Sequence, residues 1–548
     1  MSESIIDTTP TNYSQNNQGN DELIQSDSPK SSIILRDSSG SLLGVIYGIG
    51  MNVNNVLGSG IVTTPGIIWN SVKSPVIVLI LWFIGGLVSM AGSLTYVELG
   101  AMHKISGGET KYLQTAYPEP KLMMSYLFSF MFIFAIRPGI ISAVLQSAAQ
   151  YFWYTIAGYQ YDKELELHKI GWNLKFSPFW SIKFIAIAIL LIITIYHMLS
   201  NRWAILINQT LATIKLITYS IIAITGICRL FLNWENSRGN WQEPLDGDAG
   251  INAYSQSILL IMFSYDGWNN LNYSLDEFRN PEKKLILSNS ISVGIVSFMY
   301  LLVNIAFISV VPKGDVLDNK TTNETIAVSF FNQLFRSDAI VRMFTFLIVL
   351  SVIGTAAANV WSGSRVIVAA ARLKFFPIYS DQLKNWHENS NTPVNALLAQ
   401  FIWCSLIILF VGSSFTITSF ELFSKFAIYN FWVFYLATGI GLFVIRYKKP
   451  ENNRPFKVWL PITGIFILAG IFILISPLVV ECPDKGNECI QQKRSPFYMS
   501  YGFLFIALMF WYFLYFWWDT KKTQKKQQTK VTNTNTTPFY TPNTPKNE

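Results

Sequence analysis

The chain has 548 residues, of which 51% are hydrophobic and only 14% are charged, with a mean hydropathy of +0.32. Soluble domains carry about 25% charged residues, so this composition excludes an ordinary soluble protein. Repeated apolar runs of about 18 residues or more predict an all-α integral protein of the lipid bilayer. The net charge of +8 lies mostly in loops and in the C-terminal tail. It therefore bears on membrane topology, and we expect no nucleic-acid partner.

The apolar pattern predicts about twelve transmembrane helices, within a membrane domain that covers residues 41–519. The predicted spans are 42–70, 75–101, 121–158, 179–200, 203–232, 250–277, 286–312, 338–370, 394–412, 420–446, 457–480 and 497–518. The polar residues 1–40 lack the apolar core of a cleaved signal peptide and predict a disordered tail, as do residues 520–548.

An even number of spans places both tails on the same side of the membrane. Lysine and arginine cluster in the loop between spans 10 and 11, in the loop between spans 6 and 7, and directly after the last span. The positive-inside rule makes this side cytoplasmic, so both termini are predicted in the cytoplasm. Glu98, near the cytoplasmic end of span two, is expected to pair with a cation from one of these loops.

Features of the opposite loops favour the secretory route to the plasma membrane. Asn319 and Asn323 each begin an Asn-X-Thr glycosylation motif on the predicted outer side. Cys482 and Cys489 share a short polar loop, where they form either a local disulfide or two free thiols.

The first span carries helix-breaking residues at its centre. Asn52, Asn54 and Asn55 lie in mid-span and precede Gly58-Ser59-Gly60. Two glycines around a serine favour local unwinding, and irregular backbone at membrane depth is tolerated where it lines a cavity. Amides freed there, at the N-terminus of a second half-helix, suit a carboxylate. The alternative is a close helix-packing site, because small residues also let helices approach.

The sixth span is interrupted by Asp266-Gly267, which Trp268 and Asn269 follow. A carboxylate in mid-membrane costs about 2.5–3.5 kcal/mol, so Asp266 is expected to face a cavity or a cation. Spans one and six are the first members of two successive groups of five. Their interruption predicts an inverted-repeat transporter with its binding site between the two broken helices.

Lys215 lies in the apolar fifth span, too deep to reach the interface easily. A buried lysine at this position can act as a fixed cation in place of a metal ion, or as a proton carrier. The alternative is that its side chain extends to the cytoplasmic interface.

Motifs spread over residues 44 to 520 resemble the amino acid–polyamine–organocation superfamily, and within it the L-type amino acid transporters. The narrower pattern is similar to fungal high-affinity methionine permeases. The motifs that carry these resemblances are Gly58-Ser59-Gly60-Ile61, Tyr96-Val97-Glu98-Leu99-Gly100, Ser106-Gly107-Gly108-Glu109, Arg137-Pro138, Gly267-Trp268-Asn269, Asn280-Pro281, Asn304-Ile305-Ala306 and Val310-Val311-Pro312-Lys313.

The resemblance implies a LeuT-type five-plus-five inverted repeat with two further C-terminal helices. It also implies amino acid transport by alternating access. The implied substrate-binding residues are Val56, Gly58, Ser59, Gly60, Ile61, Phe263, Ser264, Asp266, Gly267, Trp268 and Asn269. Among them the Gly58–Gly60 amides bind the carboxylate, the Val56 carbonyl accepts from the ammonium, and Phe263 closes over the substrate.

Lys215 matches the fifth-span lysine that replaces a sodium site in proton-coupled relatives. We therefore expect proton-coupled import of neutral amino acids, with Lys215 or Asp266 as the coupling group. Asp266 stands where L-type carriers have a small or apolar residue, which keeps a cationic amino acid carrier or an exchanger as alternatives. Residues 159–178 contain no cysteine, so no disulfide-linked heavy chain is expected.

An amino acid sensor that signals through its tails is the alternative from another class. An enzyme is not expected, because no nucleophile lies beside a base. The four histidines, His103, His168, His197 and His387, form no metal-ligand pair at helical spacing. We expect no metal site and no cofactor, and a proton as the coupling ion.

Overall fold

The computed structural model describes residues 42–158, 178–232, 239–242, 244–245, 249–275, 280–318, 325–335, 337–410, 419–478 and 487–518. The predictions for both tails, for Asn319 and Asn323, and for Cys482 and the Cys489 side chain lie outside the described residues.

The described residues form helices and no β-strand. The first half contains α1 (Leu42–Val56), α2 (Ser59–Val72), α3 (Pro75–His103), α4 (Glu109–Ala116), α5 (Met123–Met131), α6 (Arg137–Ala157), α7 (Pro178–Leu199) and α8 (Asn201–Leu232). The second half contains α9 (Ile251–Ser264), α10 (Pro281–Val310), α11 (Lys313–Asp318), α12 (Ile326–Leu334), α13 (Asp338–Arg372), α14 (Ser380–Leu383), α15 (Val394–Phe410), α16 (Ser419–Lys448), α17 (Leu460–Ile475) and α18 (Asn487–Tyr512).

Each of the twelve predicted membrane segments corresponds to one helix or to one pair of consecutive helices. Within the described ranges, nine helices are long and apolar enough to cross a membrane, with α5 and α6 forming one of them. A tenth segment is the pair α1 and α2, which meet at an angle of 41°. Two shorter apolar helices, α9 and α15, complete the set. The predicted all-α, multi-span membrane fold is therefore confirmed.

Two long helices form the centre of the molecule. The first of them, α10, packs against α1, α3 and α8, and the second, α13, packs against α1, α6 and α8. Both therefore reach the first broken span from different sides. Large apolar side chains on the outer helices are exposed, for example Phe184 and Ile192 on α7. This outward apolar surface suits contact with lipid.

A buried ion pair fastens α3 to α16. The Glu98 carboxylate is fully buried and accepts hydrogen bonds from Arg446 and from the Val458 amide, the latter at 2.9 Å. The guanidinium also donates to the Val458 carbonyl at 2.7 Å. The expected pairing of Glu98 with a loop cation is confirmed by Arg454, whose Nε atom lies 3.7 Å from Glu98 Oε1, whereas Arg446 lies in the last turn of α16. The pair joins three elements at the end of the molecule that is predicted to be cytoplasmic.

Close packing of α8 on α10 requires a glycine. A Cβ atom placed on Gly226 would lie 2.2 Å from the Ala306 Cβ atom and 2.6 Å from its Cα atom. The two helix backbones could therefore not stay at their present separation. Small residues in membrane helices permit this close approach, which gains dispersion energy over the contact.

We expect Gly226→Ala to lower the thermal midpoint of the detergent-purified protein. Overpacking of this kind costs about 1–3 kcal/mol, because α8 and α10 must separate. Gly294→Ala on α10 is the matched control, since a Cβ atom there meets open space within 4 Å. Equal midpoints for the two variants in a fluorescence-based melt would contradict the assigned packing.

Candidate functional site

The first span breaks between α1 and α2. Leu57 and Gly58 lie between the two helices, and α2 begins at Ser59. A Cβ atom on Gly58 would lie 2.3 Å from Thr355 Oγ1, and one on Gly60 would lie 2.6 Å from Ser264 Cα. These glycines therefore let α13 and α9 approach the break. The first amides of α2 have no acceptor in their own helix and form its positive end.

Side chains from other spans bind the carbonyl end of α1. The Lys215 ammonium, fully buried on α8, donates to the Asn54 carbonyl at 2.5 Å and to Thr355 Oγ1 at 2.7 Å. A cation is favourable there, because a helix C-terminus carries partial negative charge. The interpretation that Lys215 extends to the interface is wrong. Its ammonium instead binds backbone freed by the break.

The sixth span breaks after α9. Residues 265–269 form turns, and a short 3₁₀ helix follows at Asn270–Tyr273. Gly267 has φ +109°, a conformation that side chains rarely adopt, and a Cβ atom there would meet Asn55 Nδ2 at 2.1 Å. The Asn55 amide donates to the Gly267 carbonyl at 3.3 Å. The two broken spans therefore touch at their breaks.

Tyr300 on α10 connects both breaks. Its hydroxyl lies 2.6 Å from the Val56 carbonyl and 2.7 Å from the Ser264 carbonyl, the last carbonyls of α1 and α9. The side chain is fully buried. One hydroxyl thus serves two carbonyl groups that the breaks leave without helical partners.

A cavity lies between the breaks. In this conformation its volume is about 20 Å³, which is room for about one water molecule. An amino acid can therefore enter only when the elements that line the cavity move apart. The lining residues that the sequence predicted are Val56, Gly58, Ser59, Gly60, Phe263, Ser264 and Asp266. Those that it did not predict are Asn55, Ile140, Val144, Thr355 and Asn359.

Four predicted binding residues do not line this cavity: Ile61, Gly267, Trp268 and Asn269. The Trp268 ring packs edge-on against Tyr96, with centroids 4.9 Å apart. Asn269 donates to Glu109 Oε1 at 2.7 Å and to the Tyr273 hydroxyl at 2.9 Å. Trp268 and Asn269 therefore contact residues around the sixth-span break that do not line the cavity. Their direct contact with substrate stays a prediction.

Asp266 has a phenol donor and a nearby cation. Its Oδ1 atom accepts from the Tyr435 hydroxyl at 2.8 Å, and it interacts electrostatically with the buried Arg137 guanidinium. Arg137 donates to Asn359 Oδ1 and lies 4.5 Å from the Phe132 ring centroid. In the sequence, this arginine stood out only as part of a family motif. The structure shows that it bonds to Asn359, which lines the cavity, and interacts with Asp266.

The polar side chains of α13 carried a signal that sequence reasoning missed. Ser351, Thr355 and Asn359 recur at intervals of four residues within an apolar span, and all three are buried. This spacing places them on one face of the helix. A polar stripe on a membrane helix is expected to face protein or a cavity rather than lipid.

Glu109, at the start of α4, was quoted above only as part of a family motif. The side chain is fully buried, and burial raises the pKa of its carboxyl group to about 7. In the described part of the chain no lysine or arginine lies within 4 Å of its carboxyl oxygens. This titratable group contacts the sixth-span break, because its Oε1 atom accepts the hydrogen bond from Asn269.

The similarity of this chain to known proteins agrees with this architecture. A family model described as amino acid permease matches residues 43–511. The chain is 28% identical over 477 residues to the b(0,+)-type amino acid transporter 1 of Mus musculus, covering 86% of this chain and 88% of that protein. It is 27% identical over 445 residues to the Large neutral amino acids transporter small subunit 2 of Homo sapiens, covering 80% and 76%.

The chain belongs to the amino acid permease family. Its likeness to the two kinds of amino acid transporter supports the predicted resemblance to L-type carriers. The family consists of membrane carriers rather than enzymes, in line with the sequence interpretation.

We expect Tyr300→Phe to destabilise the cavity. The hydroxyl has one proton to donate to these two buried carbonyl groups, and losing that donor costs about 1–3 kcal/mol. Both the thermal midpoint and the affinity for substrate should fall, as measured by melting and by radioligand binding in detergent. The control is Tyr117→Phe, whose hydroxyl donates to the Ala437 carbonyl at 2.9 Å, away from the breaks. Unchanged binding in Tyr300→Phe would show that the hydroxyl does not hold the site.

Proposed function

We propose that the protein is a secondary active transporter that imports neutral amino acids of methionine or leucine type. It works by alternating access and is coupled to protons. The observation that carries the proposal is the cavity between two broken helices, which is lined both by the first residues of α2 and by Asp266. Membership of the amino acid permease family supports transport of amino acids in general.

The α-carboxylate of the substrate docks on the N-terminus of α2. The amides of Ser59, Gly60 and Ile61 are the first of that helix, so they lack intrahelical acceptors. The positive end of the helix dipole adds to the attraction. Helix-packing glycines alone would not require a cavity beside them, and this one is lined by Gly58, Ser59 and Gly60.

The α-ammonium of the substrate lies on the opposite side of the cavity. The Val56 carbonyl and the Asp266 carboxylate both line the space within reach of a small ligand. Phe263 also lines it and packs edge-on against Phe420, with centroids 5.6 Å apart. Rotation of the Phe263 ring over the side chain of the substrate would close the site before the helices rock inward.

Lys215 and Asp266 are the proposed coupling groups. The Lys215 ammonium already bonds to the Asn54 carbonyl at the break, where a bound metal cation would compete for the same oxygen. This arrangement favours protons over sodium. Asp266 lines the proposed substrate cavity, so the binding of a substrate can change whether its carboxylate holds a proton.

A cationic amino acid carrier or an exchanger is the second candidate. Asp266 favours it, because this carboxylate lines the cavity and could also meet a cationic side chain. The name of the Mus musculus relative designates a b(0,+)-type system, and that of the Homo sapiens relative designates large neutral amino acids. Both substrate classes are therefore proposals for this chain.

Localisation and assembly belong to the same proposal. The excess of basic residues in two loops and directly after the last span supports cytoplasmic termini, and the two outer glycosylation motifs support a plasma membrane location. One relative is named a small subunit. A disulfide-linked heavy chain is not proposed here, because residues 159–178 contain no cysteine.

The test is radiolabelled uptake into liposomes that contain the purified protein, with and without an inward proton gradient. We expect gradient-driven accumulation of methionine or leucine. Asp266→Asn should reduce it at least tenfold, because the ammonium loses its charged partner. Asp338→Asn, in the first turn of α13 and exposed, is the control and should transport normally.

Three outcomes would change the proposal. Lysine uptake that disappears in Asp266→Asn would assign the cavity to cationic amino acids. Exchange without gradient-driven accumulation would replace symport by exchange. If Lys215→Ala and Asp266→Asn both kept pH-dependent accumulation, neither residue would be a coupling group.

A further inference from the structure

The helix α4, in the loop between the second and third spans, is attached to the sixth-span break. The Gly108 amide donates to the Asn272 carbonyl at 3.0 Å, and the Tyr112 hydroxyl donates to Asn272 Oδ1 at 2.7 Å. A third bond runs from Asn269 Nδ2 to Glu109 Oε1 at 2.7 Å. Movement of the break must therefore shift or release α4.

The second carboxyl oxygen of Glu109 is buried without a good hydrogen-bond donor among the described residues. The Tyr96 hydroxyl is also buried without a well-aligned partner there, although it interacts with Thr438 and Glu109. The donors around Glu109, which are Tyr273, Asn269 and Tyr96, favour the ionised carboxylate, but burial has the larger effect and favours the protonated form. A protonated carboxyl group carries its own donor, which a phenol oxygen can accept.

The charges around Glu109 do not balance if every acid is ionised. The facing groups are Tyr96 on α3, Tyr112 on α4, Asp266 and Tyr273 at the sixth-span break, Arg137 on α6 and Tyr435 on α16. Arg137 is the cation that interacts with both carboxyl groups, Glu109 and Asp266. Two buried anions with one cation leave one uncompensated charge, which a low-dielectric interior disfavours.

Building on the proton coupling proposed above, we propose that Glu109 and Asp266 share one transported proton and that Glu109 holds it in this conformation. The proton enters from outside through the substrate cavity and binds the carboxylate of the cluster. Opening towards the predicted cytoplasmic side hydrates α4, and the proton leaves Glu109 for water. No other bond forms or breaks.

The properties of Glu109 suit this role. Burial raises the pKa of its carboxyl group to about 7, so the proton is held below about pH 7 while the group is enclosed. Hydration returns the pKa toward the ordinary value of a glutamate, near 4.3, where neutral pH removes the proton. The two acids interact, so the proton belongs to the cluster and moves with its conformation.

Two measurements on Glu109→Gln in liposomes test the proposal. The variant mimics the protonated side chain, so counterflow exchange of labelled for unlabelled substrate should persist. Gradient-driven accumulation should fall at least tenfold, and substrate-driven proton uptake, followed with an internal pH dye, should disappear. Glu451→Gln, an exposed carboxylate in the loop after α16, is the matched control and should behave as the parent protein.

The results separate this proposal from the one that it builds on. A parent protein that exchanges substrate but moves no protons would overturn the proton coupling itself. Coupled transport in the parent and an equal proton uptake in Glu109→Gln would overturn only the role of Glu109. Lost accumulation with preserved exchange in Glu109→Gln alone supports both.

If Glu109→Gln does not transport substrate at all, the pH dependence of its melting temperature provides a second measurement. The folded protein binds more protons at Glu109 than the unfolded chain between about pH 4.5 and 7, so its stability falls as the pH rises through that range and levels off above it. In Glu109→Gln this part of the pH dependence of the melting temperature should vanish. An unchanged profile would contradict the assignment of the proton to Glu109.

Discussion

The structure depends on one constraint, which is that backbone groups inside a membrane must find partners within the protein. Both broken helices free carbonyl groups in the middle of the fold. Lys215 binds the Asn54 carbonyl, and Tyr300 lies beside the last carbonyls of α1 and α9. The amides of α2 are left for a ligand. The breaks that form the candidate site are therefore stabilised by long side chains from α8 and α10, which bind the freed carbonyl groups.

The balance of charge among the buried ionisable groups is a second constraint on the region around the cavity. Each ionisable group near the cavity is buried and stays in the interior only with a partner. Lys215 meets the negative end of α1, whereas Arg137 stands between Asn359 and two acids. A zwitterionic substrate would add both signs of charge and no net charge. In the proposed mechanism, a charged side chain of the substrate has to be balanced by the acids, which would link specificity to proton binding.

Family membership and local chemistry answer different questions about this chain. Likeness at 27–28% identity to two amino acid transporters supports the class of cargo and the membrane architecture. It leaves the side chain of the substrate open, since of these two relatives only one has a name that states a class of amino acids. In the proposed function, this preference depends on Asp266, which accepts a hydrogen bond from Tyr435 and interacts electrostatically with Arg137.

The sequence alone determined the twelve apolar segments, the two breaks and the depth of Lys215, because hydrophobicity, glycine and buried charge are local signals. Tertiary structure decided which residues near the breaks face the cavity. Asp266 and Trp268 are two positions apart, yet only Asp266 lines it, since helix rotation and turn geometry set direction. The partners from distant spans, Asn359 and Tyr435, are brought to the site by packing between helices, which no local pattern encodes.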